Sequence, residues 1–327
     1  MKFLFSGDAF LAEKINLSES LLETINSNDF LVVNLEGVVT DAEETRADKA
    51  SAFQVDIENV IHLQKQVDAE VILFLCNNHM LDFGGDGLKD CLTNIRNAGF
   101  RLILDVLEIC SKGETVSLYG LTADEPSVMS VMSSPNHQFL NYYDDLEVST
   151  GSKHVAICHW GDEYVSVPHH RIFQRGKHLS KSFDVLIGHH PHVIQGKKQF
   201  GSTEVFFSLG NFCLNNFTYK NGAVHIFPEE CNLGILVQFD TQSKKSEVYG
   251  CSYNHRQKTI SSSETAVKLF EERSKHLEND IKEMHILWES SFYNYLRFKR
   301  SIAVNLRSVW PKYKGLLWIY LKKIFGS

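Results

Sequence analysis

Six short apolar runs along this chain each stop at a side chain that can bind a cation or move a proton. KFLFSGD (2–8) stops at Asp8, DFLVVNLEG (29–37) at Glu36, and AEVILFLCNNH (69–79) at Asn78 and His79. KHVAICHWGDE (153–163) carries His159, DVLIGHHPH (184–192) ends on three histidines, and TEVFFSLGNF (203–212) reaches Asn211. Apolar runs of this length without alternation belong to strands buried on both faces. Helical periodicity lies between several of them, at 18–27, 56–67, 86–98 and 170–182. In the third of these Leu88, Cys91, Leu92 and Ile95 share one face, and Gly99 is placed to stop the helix. Strand alternating with helix predicts an α/β fold with a largely parallel core. In such sheets ligands collect beyond the carboxyl ends of the strands, which is where the polar residues sit in each run.

Residues 232–240 and 246–253 read as a closing pair of strands. Residues 264–289 read as one long helix with Leu269, Phe270, Leu277, Ile281, Met284 and Trp288 near one stripe. The expected division is a main domain over 1–258 and a helical segment over 259–327. Eight basic side chains and no acid follow Glu289, so the chain's formal charge of −7 becomes −15 for residues 1–289. Basic residues interleaved with Trp310, Tyr313, Trp318 and Tyr320 suit a helix at an anionic membrane surface, and equally a helix packed on a partner. The acidic main domain argues against nucleic acid as a partner, because phosphate backbones select basic surfaces.

Seven cysteines, an odd number without CxxC spacing, argue against a disulfide framework and against a thiolate zinc site. Buried, reduced thiols in a cytoplasmic protein are expected. The start, MKFLFSGDAF, lacks the apolar core and cleavage site of a signal peptide. No apolar run reaches the roughly 18 residues of a membrane-spanning helix. The expected location is therefore cytoplasmic, with peripheral attachment at the inner membrane face through residues 290–327.

Asp8, Glu36, Asn78, His79, Asp82, His159, His190 and His192 make a mixed carboxylate, amide and imidazole set. Mn, Zn or Fe favour such ligands, and one or two divalent ions are expected. Two ions about 4 Å apart can generate a hydroxide and clamp both oxygens of an in-line phosphoryl displacement. In GHHPH, His190 and His192 are two residues apart, so an extended chain points both side chains to one face. Pro191 favours that extension for His190, and His189 is expected to face the other way as a structural or supporting residue. His79 is positioned to give a proton to a leaving group, with Asp82 orienting it. The same NNHMLDFGGDG stretch also reads as a turn that caps the following helix. Asn34, Glu163 and Asn211 are expected behind the ligands or against substrate, and Trp160 in packing.

These motifs, in this order, resemble the CapA family of capsule synthesis proteins, named for poly-γ-glutamate capsule production. The resemblance rests on GD (7–8), NLEG (34–37), NNHMLDFG (77–84), HWGDEY (159–164), GHHPHVIQG (188–196) and SLGNF (208–212), with Gln174 also in place. It spans about residues 1–240. It implies a calcineurin-like metallophosphoesterase fold, an α/β four-layer αββα sandwich with a C-terminal helical extension and two metal positions between the sheets. Asp8 then matches the first aspartate ligand and Glu36 the bridging carboxylate. Asn78 and His79 match the ligand and acid pair, and His159, His190 and His192 the imidazole ligands. The usual Asp-x-His is broken, because Phe10 stands where the histidine belongs. The function implied is a metal-dependent hydrolase-like protein of capsule or surface-polymer biosynthesis, acting on a phosphoester or on an acyl or amide bond. The alternative is a non-catalytic subunit of a polymer synthase or export complex that binds the anionic polymer. Expected partners are that polymer or a phosphoester substrate, and synthase or export subunits.

Overall fold

The structure, a computed structural model, describes residues 1–43, 45, 52–111, 113–122, 152–218, 224–278 and 287–291. The larger of its sheets has nine strands. Eight run, in spatial order, β2 (Asn16–Leu17), β17 (Thr259–Ser262), β16 (Lys245–Asn254), β15 (Leu233–Asp240), β1 (Lys2–Phe10), β3 (Phe30–Leu35), β4 (Glu70–Phe74) and β5 (Arg101–Ile103). The ninth, β12 (Asn211–Leu214), pairs with the far end of β1. A six-stranded sheet runs β10 (Lys197–Phe200), β11 (Thr203–Phe206), β9 (Val185–His189), β8 (Lys153–His159), β7 (Glu114–Thr122) and β6 (Val106–Ser111). A small ribbon joins β13 (Phe217–Thr218) to β14 (Val224–His225). The five helices among the described residues that span eight or more positions are α1 (Glu19–Asn26), α2 (Ile57–Gln64), α3 (Gly84–Asn97), α4 (His170–Leu179) and α5 (Glu264–His276).

The order of layers follows from the pleat, which sends successive side chains to opposite faces of a sheet. Phe3, Phe5, Phe30, Val32, Ile72 and Phe74 of the large sheet share one buried cluster with Val116, Leu118, Val155, Ile157, Val185 and Ile187 of the six-stranded sheet. Their neighbours Leu4, Leu31, Val33, Val71 and Leu73 pack on the other face, against Leu21 and Ile25 of α1, Val60 and Leu63 of α2, and Leu88, Leu92 and Ile95 of α3. In the six-stranded sheet Ala156, Cys158, Leu186 and Val205 turn outward onto Phe173 and Leu179 of α4. Helix, sheet, sheet and helix therefore stack in four layers. Each fully buried ring in the middle layer is worth about 1.5–3 kcal/mol of hydrophobic stabilisation.

The cores of both sheets are parallel: β1, β3, β4 and β5 in one, and β7, β8, β9 and β11 in the other. The expected closing pair is present as the antiparallel β15 and β16. The long helix expected over 264–289 is shorter. It ends at His276, where Leu277 turns into the cluster formed with α4, and residues 279–286 lie outside the described set. The strand β17 pairs with β16, and Ala266 and Phe270 of α5 close the layer between the sheets, so residues 259–270 pack with the main sheet. All seven cysteines are free, and six are buried; Cys110 is exposed, on the edge strand β6. No helix among the described residues is long and apolar enough to cross a membrane. The basic-aromatic stretch from residue 292 onward, which carries the expected membrane contact, lies outside the described residues.

Candidate metal centre

Asp8 does not sit at a strand terminus; it lies inside β1, where the register of β1 slips against both β3 and β12. Such a bulge re-aims a side chain. Gly7 makes the geometry accessible: a Cβ there would lie 2.2 Å from the Gly210 carbonyl oxygen, and the Asp8 N–H donates to that same oxygen at 2.9 Å. The turn SLGN can therefore close on β1 only over a glycine. It delivers Asn211, the first residue of β12, beside Asp8.

Every oxygen of Asp8 is engaged. Asn34 donates from Nδ2 to Oδ1 at 2.7 Å, and the His190 backbone N–H donates to Oδ2 at 3.1 Å. His189 Nδ1 lies 3.2 Å from Oδ1, and His192 Nδ1 lies 3.3 Å from Oδ2. Burial alone would raise the Asp8 carboxyl, but the His189 and His192 contacts outweigh it and hold the group well below the usual carboxylate range.

Glu36, one residue past β3, is the opposite case. It is fully buried, and among the described residues neither carboxylate oxygen accepts a hydrogen bond. Two imidazole nitrogens lie near it, His159 Nε2 at 3.7 Å and His192 Nε2 at 3.8 Å. Burial pushes its carboxyl well above the usual range; His192 pulls it down, and the Asp8 charge adds to the rise. A buried, unsatisfied carboxylate costs several kcal/mol unless it is neutralised or meets a cation. One atom each of Asp8, Glu36 and His192 lie within 4.8 Å of one another. This donor set of two carboxylates and one imidazole fits a divalent ion.

The imidazoles split by charge. Burial opposes a proton on His192, but Glu36 and Asp8 overcome it and lift the ring to about 10. Asn211 steadies that ring, with Oδ1 3.1 Å from Nδ1 and Nδ2 donating to the His192 and Cys231 carbonyls. Burial pushes His190 down to about 4, with Glu163 pulling the other way. Burial, reinforced by His190, likewise lowers His159 well below its usual value. His159 Nε2 lies 3.0 Å from Asn78 Oδ1, and its ring is 4.7 Å from that of His190. These rings are neutral near pH 7, the form that binds metals.

Two local expectations need correction. His190 and His192 are not extended: their φ angles are +96° and +58°, in the left-handed region. Each such residue stores about 1–3 kcal/mol of backbone strain, so the segment turns after β9 and reaches the site by bending. His189, the last residue of β9, does not face away; it contacts Asp8 and lies 5.8 Å from the ring of Phe74. Gln174 is exposed on α4 and takes no place in the cluster.

Beside the cluster, His79 Nδ1 lies 2.8 Å from Asp82 Oδ2, and the Phe53 backbone N–H donates to that same oxygen at 2.8 Å. Asn77 ties this pair to the acids, a role its sequence neighbourhood masked because Asn78 stood beside it. Its Nδ2 donates to Asn34 Oδ1 at 3.0 Å, and its Oδ1 accepts from the His79 N–H at 3.0 Å. Trp160 is packing: it is buried and its indole N–H donates to the Phe207 carbonyl. Phe10 is buried and stacked on Phe53, with ring centroids 4.2 Å apart.

The chain is thus a four-layer αββα sandwich that gathers acids, amides and imidazoles where its two sheets meet. The family described as "Bacterial capsule synthesis protein PGA_cap" matches residues 11–103 and 145–216. That is half of the chain, and the chain belongs to this family. It is 29% identical over 209 residues to the PGA biosynthesis protein CapA of Bacillus subtilis (strain 168), covering 57% of this chain and 53% of that protein. It is 27% identical over 161 residues to the capsule biosynthesis protein CapA of Bacillus anthracis, covering 43% of this chain and 39% of that one. The chain thus spans about half or less of the length of the curated relatives it matches. Among solved structures it overlaps a hypothetical protein from Thermus thermophilus, with a TM-score of 0.42 and 12% identity over 76% of this chain and 98% of that one. It also overlaps a novel archaeal phosphodiesterase, with a TM-score of 0.32 and 12% identity over 76% of this chain and 99% of that one.

Proposed function

We propose that the chain is a metal-dependent hydrolase of capsule or surface-polymer biosynthesis, acting on a phosphoester or on an acyl or amide bond. The observation that supports this reading is Glu36, a buried carboxylate with no hydrogen-bond donor among the described residues, converging with Asp8 and His192. Asp8, Glu36 and His192 would hold one divalent ion, and Asn78, His159 and His190 are the further donors that could serve a second. A bound Mn, Zn or Fe ion supplies positive charge that polarises a substrate oxygen and acidifies water.

The chain's own residues divide the remaining work. Asn34 and the His190 N–H fix the Asp8 carboxylate. Asn211 fixes the His192 ring, and Glu163 biases the charge of His190 and His192. Asp82 faces Nδ1 of His79, so Nε2 is the ring atom left to take up a proton and, once protonated, to pass it to a leaving group.

The second reading, a non-hydrolytic subunit that binds an anionic polymer for a synthase or export complex, draws on Phe10, which takes an imidazole away from the Asp8 position. Turnover of a generic phosphodiester with Mn²⁺ separates the two. The first reading expects turnover, reduced at least ~100-fold in His190→Ala, since a lost metal ligand removes the ion's share of the barrier. Metal-loaded protein inert towards phosphodiesters, amides and polymer alike would sink it in favour of the second.

A further inference from the structure

Phe53 lies 17 positions after Glu36 in the sequence and belongs to none of the strands or helices above, yet it makes two separate contacts with the His79–Asp82 pair. Its backbone N–H donates to Asp82 Oδ2, the oxygen that faces His79 Nδ1. Its ring stacks on the His79 imidazole with centroids 4.0 Å apart and planes only 6° from parallel. The other face of the ring carries Phe10, 4.2 Å away and tilted by 18°. Two nearly parallel rings this close cannot share one face, so Phe53 lies between them. Phe217 abuts its edge at 5.0 Å.

The geometry points to Phe53 as a positioning residue for His79, with Phe10 as its base; this inference rests on the hydrolase reading above. The side chain that replaces an imidazole next to Asp8 is thus used, as the outer plate of a three-ring stack ending on the proton donor. An imidazole held only by one hydrogen bond can rotate about its Cβ–Cγ bond, which puts carbon Cδ2 against Asp82 in place of Nδ1 and turns Nε2 out of position. A ring clamped face-on to Phe53 cannot do so without losing the stack. The clamp therefore keeps Nδ1 on Asp82 and Nε2 free. Precise placement of a proton donor is what such a clamp contributes to rate, and small misplacements of a catalytic group cost up to about 100-fold.

The test uses the full chain with Mn²⁺. Phe53→Leu keeps the backbone N–H and the apolar volume but removes the flat face. It is expected to lower kcat for a generic phosphodiester by about 10- to 100-fold, with KM and Mn²⁺ affinity within about twofold, and Phe53→Tyr is expected to restore most of the loss. In a His79→Asn background Phe53→Leu is expected to cost less than about twofold, because the ring it positions is gone. An unchanged kcat in Phe53→Leu, or the same loss in the His79→Asn background, overturns the inference. If the wild-type protein turns over no substrate, the hydrolase reading has failed by itself. The clamp is then judged by NMR of the His79 ring, which should show one fixed ring orientation with Nδ1 hydrogen-bonded to Asp82 in wild type and exchange between orientations in Phe53→Leu. A ring spectrum unaffected by Phe53→Leu overturns it. Should Phe53→Leu not fold, Phe10→Leu removes the outer plate and is read in the same two ways.

Discussion

Glu36 and His192 set the proton inventory of the ion-free site. Burial raises the Glu36 carboxyl, and the Glu36 and Asp8 charges lift His192 to about 10 despite its burial. At pH 7 the Glu36–His192 pair therefore holds a proton that a cation must displace. The sign follows directly: a group with a raised value keeps its proton to higher pH, so raising the pH removes the competitor. Mn²⁺ affinity is expected to rise with pH between about 6 and 9, by about tenfold per unit for each proton released. Titration calorimetry in buffers of different ionisation enthalpy reads the proton count directly. Heats independent of the buffer, or affinity that falls as pH rises, would contradict this account. At this scale the sequence was informative about chemistry and poor about orientation. Asp8, Glu36, His159 and His192 could be singled out because each follows an apolar run. The positive φ angles of His190 and His192 could not, since proline spacing favours the extended form and only the packed site enforces the bend. Phe53 was invisible, because nothing near it in the sequence marks a ring that acts on His79.

Among the elements, β1 does the most to build the site. Its bulge at Asp8 depends on Gly7, which lets the turn before β12 approach within hydrogen-bond distance. A Cβ at Gly7 would meet backbone on the facing turn, which cannot swing aside as a side chain can. Gly7→Ala is expected to destabilise the fold by about 1–3 kcal/mol or more, and to weaken Mn²⁺ binding because Asp8 and Asn211 move apart. Gly85→Ala is the control: nothing lies within 4 Å of a Cβ there, so stability should hold or improve by about 0.4–1 kcal/mol. Chemical denaturation of both variants checks the pair, and equal stability of Gly7→Ala and wild type would refute the close-approach argument. The strand and helix sequence was largely readable, because buried parallel strands and amphipathic helices carry different periods. The slip in β1 was not, since a bulge is a property of two pairing partners and β12 lies some 200 positions away in the chain.

Across the whole molecule, four layers bring the strand ends of two sheets to one edge. Glu36 and His79 come from the large sheet, and His159 and His192 from the six-stranded one. Neither sheet could hold the cluster alone. That convergence was foreseeable from alternating strands and helices plus the family resemblance, whereas the pairing of β17 and α5 with the main sheet was hidden by their short, mixed patterns. The central claim is that the buried acids at this junction exist to hold a divalent cation. Elemental analysis of protein purified without chelators, wild type beside Glu36→Gln, tests it most directly. The variant keeps the shape of the side chain and removes its charge. The account predicts at least one Mn, Zn or Fe ion per wild-type chain and loss of that ion in Glu36→Gln. A metal-free wild type that also fails to take up these ions on dialysis, or equal metal content in both proteins, would contradict it.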